Sequence, residues 1–124
     1  MILLGDKNIP YETLSVITNI EQLAKTKANT MVVFQYEQNL LDYCFKNNIT
    51  YAVIIKDLKE AIYANALEAK YIICEKELAR SIQNTADNYM FDSKILAIID
   101  SNSEFEDIAK EQIDGVIYSY LLND

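Results

Sequence analysis

Five short apolar runs recur along this chain at intervals of about 20 to 24 residues: Met31–Phe34, Tyr51–Ile55, Tyr71–Cys74, Ile95–Ile99 and Val116–Tyr118. Each is rich in β-branched or aromatic residues, and none alternates with polar ones. Such runs fit strands buried on both faces, as in a parallel sheet. The intervals exceed what a hairpin needs and match a strand, a helix and two short joints.

The intervening segments carry helical spacing. Leu40, Leu41, Cys44 and Phe45 form one apolar stripe; Leu58, Ala61, Ile62 and Ala66 form a second. Leu78, Ile82, Ala86 and Tyr89 make a third, and Phe105, Ile108, Ala109 and Gln112 a fourth. Recurrence at three and four residues gives one face to pack on a sheet. Asp57-Leu58-Lys59-Glu60 and Ser101-Asn102-Ser103-Glu104 read as capping boxes, in which a short oxygen side chain and a Glu serve the first amides. Upstream, Leu14–Ile17 is a further strand candidate, followed by a capped short helix from Thr18 through Lys27. Ile2–Leu4 is a short extra strand, with a turn at Gly5–Asn8 and Pro10 closing it.

No linker or low-complexity tract interrupts the pattern, so residues 1–124 read as a single α/β domain. The expected architecture is an open three-layer sandwich, a mostly parallel sheet of five or six strands with helices on both faces. A half-barrel-like βα repeat is the alternative, set second because its inner face would need covering. Right-handed crossovers are expected in either case.

Two joints resemble those of phosphate-binding (β/α) barrel enzymes: Ala66-Leu67-Glu68-Ala69-Lys70-Tyr71-Ile72-Ile73 and Ile113-Asp114-Gly115-Val116-Ile117-Tyr118. The resemblance covers about the last 65 residues and implies helix ends that hand over directly to buried strands. Glu68 stands where such joints usually carry Gly, and the Gly-rich loop that holds phosphate in that family has no counterpart. As a whole the chain also resembles small conserved bacterial α/β proteins, a likeness that points to no site.

Composition removes many chemistries. There is no His, so neither a Ser-His-Asp nor a Cys-His pair can form, and two Cys cannot make a Cys₄ zinc site. Gly5 and Gly115 are the only glycines, too few for a phosphate-cradling loop. A formal charge of −8 with one Arg argues against nucleic acid and anionic membranes as partners. No stretch reaches the length of a membrane span, and the first residues lack a basic leader, so a cytoplasmic protein is expected. Cys44 and Cys74, both in apolar segments, are expected to be buried free thiols.

In parallel α/β sheets ligands sit at the carboxyl ends of strands. That rim should gather Lys56, Asp57, Glu75, Lys76, Asp100 and Ser101, together with Thr18, Asn19, Gln35, Glu37 and Ser119. The first six are the candidate ligand-binding residues. Asp57, Glu75 and Asp100 have the oxygen chemistry of a Mg²⁺ site, but capping and favourable charge at helix starts account for them more simply. Lys56 as a Schiff-base amine is disfavoured by Asp57, which would keep it charged. No catalytic residue, metal or cofactor is therefore assigned. Nine tyrosines suit core margins and protein interfaces, and Tyr118, Tyr120, Leu121 and Leu122 suggest a tail docking on another subunit. The sequence thus points to a non-catalytic protein-interaction or regulatory domain acting as a homodimer. The alternative is a small-ligand domain or weak enzyme for a phosphorylated or cationic metabolite.

Overall fold

A computed structural model describes residues 1–26 and 29–123. Seven strands form one all-parallel sheet: β1 (Ile2–Leu4), β2 (Leu14–Val16), β3 (Met31–Gln35), β4 (Tyr51–Ile54), β5 (Tyr71–Glu75), β6 (Lys94–Ile99) and β7 (Gly115–Tyr118). Four α-helices connect the later strands: α1 (Gln38–Lys46), α2 (Leu58–Ala66), α3 (Lys76–Asn88) and α4 (Phe105–Lys110). All five apolar runs are strands, and the two N-terminal candidates add the sixth and seventh. The segment read as a short helix is a 3₁₀ turn over Ile20–Lys25; Lys27 lies outside the described residues.

The strand order is β1-β7-β6-β5-β4-β3-β2. From β2 to β7 every connection steps one strand in the same direction. Right-handed crossovers of that kind put every helix on one face. The packing agrees: α1 to α4 contribute Leu41, Ala64, Ile82 and Ile108 to one core with Val32, Val53, Ile72 and Val116. The opposite face holds a second core of Leu4, Met31, Val33, Ile73, Leu96 and Ile117, and among the described residues no α-helix enters it. The sheet therefore curls into a half-barrel instead of the expected sandwich with helices on both faces. Hydrophobic periodicity marks strands and helices but carries no sign of whether the winding direction reverses, and it never reverses here.

Each α-helix hands over to its strand in the same way. Asn48, Glu68, Met90 and Gln112 occupy the left-handed region with φ of 54°, 64°, 52° and 60°. Around each, two backbone bonds close a Schellman motif. After α1, Asn48 N–H donates to the Phe45 carbonyl at 3.4 Å and Ile49 N–H to the Cys44 carbonyl at 2.9 Å. The equivalent longer bonds join Ala69 to Ala64, Phe91 to Ala86 and Ile113 to Ile108. The apolar residue after each left-handed position packs against the core, and the next strand begins two or three residues later. This repeated stop explains the regular spacing of the runs.

Both glycines serve β1. A Cβ on Gly115 would lie 2.5 Å from the Ile2 carbonyl oxygen and 2.6 Å from Ile2 Cβ. Gly5 has φ +106°, and a Cβ there would meet Leu121 and Tyr118 at 2.9 and 3.0 Å. The first strand can pair with β7 only because neither position carries a side chain.

Candidate functional site

The rim at the carboxyl ends of the strands brings together the expected residues, and most are engaged by their own neighbours. Asp57 caps α2 by accepting from Glu60 N–H at 2.9 Å, while Glu60 accepts from Lys56 N–H at 2.8 Å. Ser101 accepts from Ser103 N–H at 3.2 Å, and Glu104 reaches back to Asp100 N–H at 2.8 Å and Ser101 N–H at 3.1 Å. The other oxygen of Glu104 receives the Lys76 ammonium at 2.5 Å. Asp100 also accepts from the Ser119 hydroxyl. Glu37 holds Asn39 and Leu40 N–H at the start of α1, and Asn19 holds Gln22 N–H. Glu75 before α3 and Glu104 before α4 make no side-chain cap bond to their own helix.

These bonds set the electrostatics. The Lys76 side chain donates to Glu104, which holds the Glu104 carboxyl below the usual range and raises the Lys76 ammonium. Asp57, Glu75 and Asp100 end neighbouring elements, and no three acidic or thiol groups among the described residues converge as a metal site. Burial pushes the Cys44 thiol up to about 11 and the Cys74 thiol up to about 12, so both free cysteines are protonated and poor nucleophiles.

Sequence reasoning missed the contacts of the segment that links the two edge strands, β1 and β2. After β1 the chain runs without regular structure to β2 at the opposite edge of the sheet. Near its start Asp6, only 6% exposed, accepts from Asn8 N–H and from the Tyr118 hydroxyl, both at 2.8 Å. The backbone N–H of Asn8, then Tyr118, hold the Asp6 carboxyl low. Near its end Glu12 accepts from the Tyr71 hydroxyl at 3.0 Å and from Lys70 Nζ at 2.9 Å. The Tyr120 hydroxyl donates to the Gly5 carbonyl at 2.5 Å and lies 3.4 Å from that of Tyr11. Gly5 and Asp6 were legible as a turn; nothing in the linear sequence couples Glu12 to Tyr71, which is 59 residues away.

The C-terminal tail folds back on its own domain. Residues Ser119–Leu122 form a 3₁₀ turn, and Leu121 and Leu122 pack against the inner core. Within one copy of the chain Leu121 and Leu122 thus pack on their own domain, while Tyr120 stays 54% exposed. Recesses of about 310 and 380 Å³ flank it at the rim, the first by Asp6, Tyr118 and Tyr120 and the second by Val16, Ile54 and Leu122. Larger recesses of about 480 and 510 Å³ open at the other ends of the strands, where Lys70 borders both.

The tyrosines divide sharply. Tyr51 and Tyr71 are buried, whereas Tyr11, Tyr43, Tyr63, Tyr89 and Tyr120 are 42, 38, 50, 77 and 54% exposed. On α1 and α2, whose flanking strands are neighbours in the sheet, Tyr43 and Tyr63 are accompanied by Phe45 at 41% and Ile62 at 49% exposure. Phe45, Ile62 and Tyr89, all assigned to core stripes, therefore face solvent. No helix among the described residues is long and apolar enough to cross a membrane. No family model matches the chain, and no curated protein matches it.

Proposed function

We propose that this chain is a non-catalytic interaction domain that works as a homodimer, with the exposed faces of α1 and α2 as its contact surface. The observation that carries this reading is the exposure of Tyr43, Phe45, Ile62 and Tyr63 on two consecutive helices. Each half-exposed ring or branched chain leaves apolar area in water at a cost of roughly 25 cal/mol per Å². Aromatic residues with a polar tip are enriched where surfaces alternate between hydrated and covered states.

The rim supports the same reading from the other direction. Asn19, Glu37, Asp57 and Ser101 fill amides that an anionic ligand would otherwise use. The chemistry of the rim is spent on holding helix starts in place, and its ion pair joins Lys76 to Glu104. Two copies each carrying −8 repel at long range, so association should tighten as salt screens them.

Sedimentation equilibrium of the full chain tests the proposal. A dimer at micromolar concentration that becomes monomeric in Ile62→Ser/Tyr63→Ser supports it. A wild-type monomer at every concentration and salt examined refutes it.

A further inference from the structure

We infer that Met90 is an oxidation site of the folded protein, a surface thioether that takes oxygen from peroxides while Met31 and both thiols stay closed to them. This does not depend on the homodimer reading. Three methionines and two cysteines hold all the sulfur in the chain. The fold separates them into two classes. Cys44 and Cys74 are 0% exposed and Met31 is 3% exposed, whereas Met1 is 57% and Met90 84% exposed. Met31 lies in β3, which is paired on one side with β2 and on the other with β4. Both cysteines belong to the helix-side core.

The joint after α3 accounts for the openness of Met90. α3 ends at Asn88, Tyr89 follows as its C-cap, and Met90 takes the left-handed position at φ +52°. The bond from Phe91 N–H to the Ala86 carbonyl at 2.8 Å closes the turn, and Phe91 packs against the helix-side core. The turn thus spends Phe91 on the interior and leaves Met90 in water. Peroxides oxidise sulfur according to its exposure and, for cysteine, its thiolate character. Both thiols are buried and protonated, so neither offers a thiolate. At Met90 no activating group is needed. The thioether sulfur attacks one peroxide oxygen, the O–O bond breaks, and sulfur is oxidised to the sulfoxide as the peroxide leaves as water. A sulfoxide disrupts a core, but at this position its oxygen is solvated. The reaction makes the most exposed large apolar side chain among the described residues polar and leaves both cores as they are.

Peroxide treatment of the full chain at neutral pH, followed by unfolding, thiol alkylation, trypsin and mass spectrometry, tests the inference. Trypsin places Met90 in residues 81–94, Met1 in 1–7, Cys74 in 71–76, and Met31 with Cys44 in 28–46. Residues 81–94 should gain oxygen at least about tenfold faster than Met31, which is reached only by opening of the sheet. Cys44 and Cys74 should still alkylate in full after unfolding. In urea, Met31 and Met90 should oxidise at equal rates, so that the fold is the source of the selectivity. The thermal midpoint of protein oxidised at Met1 and Met90 should stay within about 2 °C of the untreated value, as for other surface changes. Equal rates at Met90 and Met31 in the folded chain overturn the inference. So does loss of free thiols before Met90 is oxidised, or a midpoint that falls further than this as the Met90 sulfoxide accumulates.

Discussion

Replacing Met90 by Gly should stabilise this protein, although it removes a side chain and adds chain entropy. Met90 follows α3 with φ +52° and is 84% exposed, so its side chain contributes little packing. A non-glycine residue in the left-handed region costs about 1–2 kcal/mol. Glycine avoids that cost but loses about 0.5–1 kcal/mol more backbone entropy on folding. The balance is a gain of about 0.5–1 kcal/mol. The same reasoning applies to Glu68 at φ +64° and Gln112 at φ +60°, both exposed and both closing a Schellman motif. The three sites end different helices, so their effects should add to about 2 kcal/mol in the triple variant. For a chain of this size that raises the thermal midpoint by about 6–10 °C. Urea unfolding should show a higher midpoint with an unchanged slope, since the surface buried is the same. Ala109→Gly is the control: an exposed residue inside α4, three positions before Gln112, should lose about 0.8–1 kcal/mol. If Met90→Gly and Glu68→Gly lower the midpoint as Ala109→Gly does, the left-handed stops are not the source of strain and the reasoning fails.

Gly115→Ala should cost more than about 2 kcal/mol, because its Cβ would meet Ile2 backbone and Cβ together and must push β1 off β7. The specific signature is loss of exchange protection at Leu3 and Leu4 before the rest of the sheet, as seen by native-state exchange. Acid should weaken the fold through Asp6 and Glu104. Both folded carboxyls lie below their ordinary values of 3.8 and 4.5, so their stabilisation is complete above those values and lost as pH falls through the lower folded ones. Thermal midpoints between neutral pH and pH 2 should therefore fall less steeply in Asp6→Asn/Glu104→Gln than in the wild type, and parallel curves would contradict the assignment.

Much of the fold was legible in the sequence because its signals are local. The apolar runs gave the five longer strands; Ser101 and Glu104 form the full capping box expected of them, while Asp57 caps α2 but Glu60 reaches the Lys56 amide in place of that of Asp57. Winding direction was not legible, since a helix packed on either face of a sheet shows the same stripe. The stripes also overreached at Phe45, Ile62 and Tyr89, which continue a helical period yet lie beyond the curved sheet's reach. The rim was predictable as a gathering of polar residues, because strand ends in a parallel sheet must lie together. Lys76 on Glu104 and Ser119 on Asp100 were not, since those pairs depend on the order of strands. The contacts of residues 5–13 were hidden for a different reason: they join Asp6 to Tyr118 and Glu12 to Tyr71, and no periodicity records a contact made once.

The central claim is that exposed aromatic surface on α1 and α2 exists to be covered by a second copy of the chain. Sedimentation equilibrium at two salt concentrations, with the wild type beside Ile62→Ser/Tyr63→Ser, tests it most directly. The account predicts a wild-type dimer that tightens with salt and a folded, monomeric double variant. A wild type that remains monomeric at both salts, or a double variant that dimerises as well as the wild type, would contradict it.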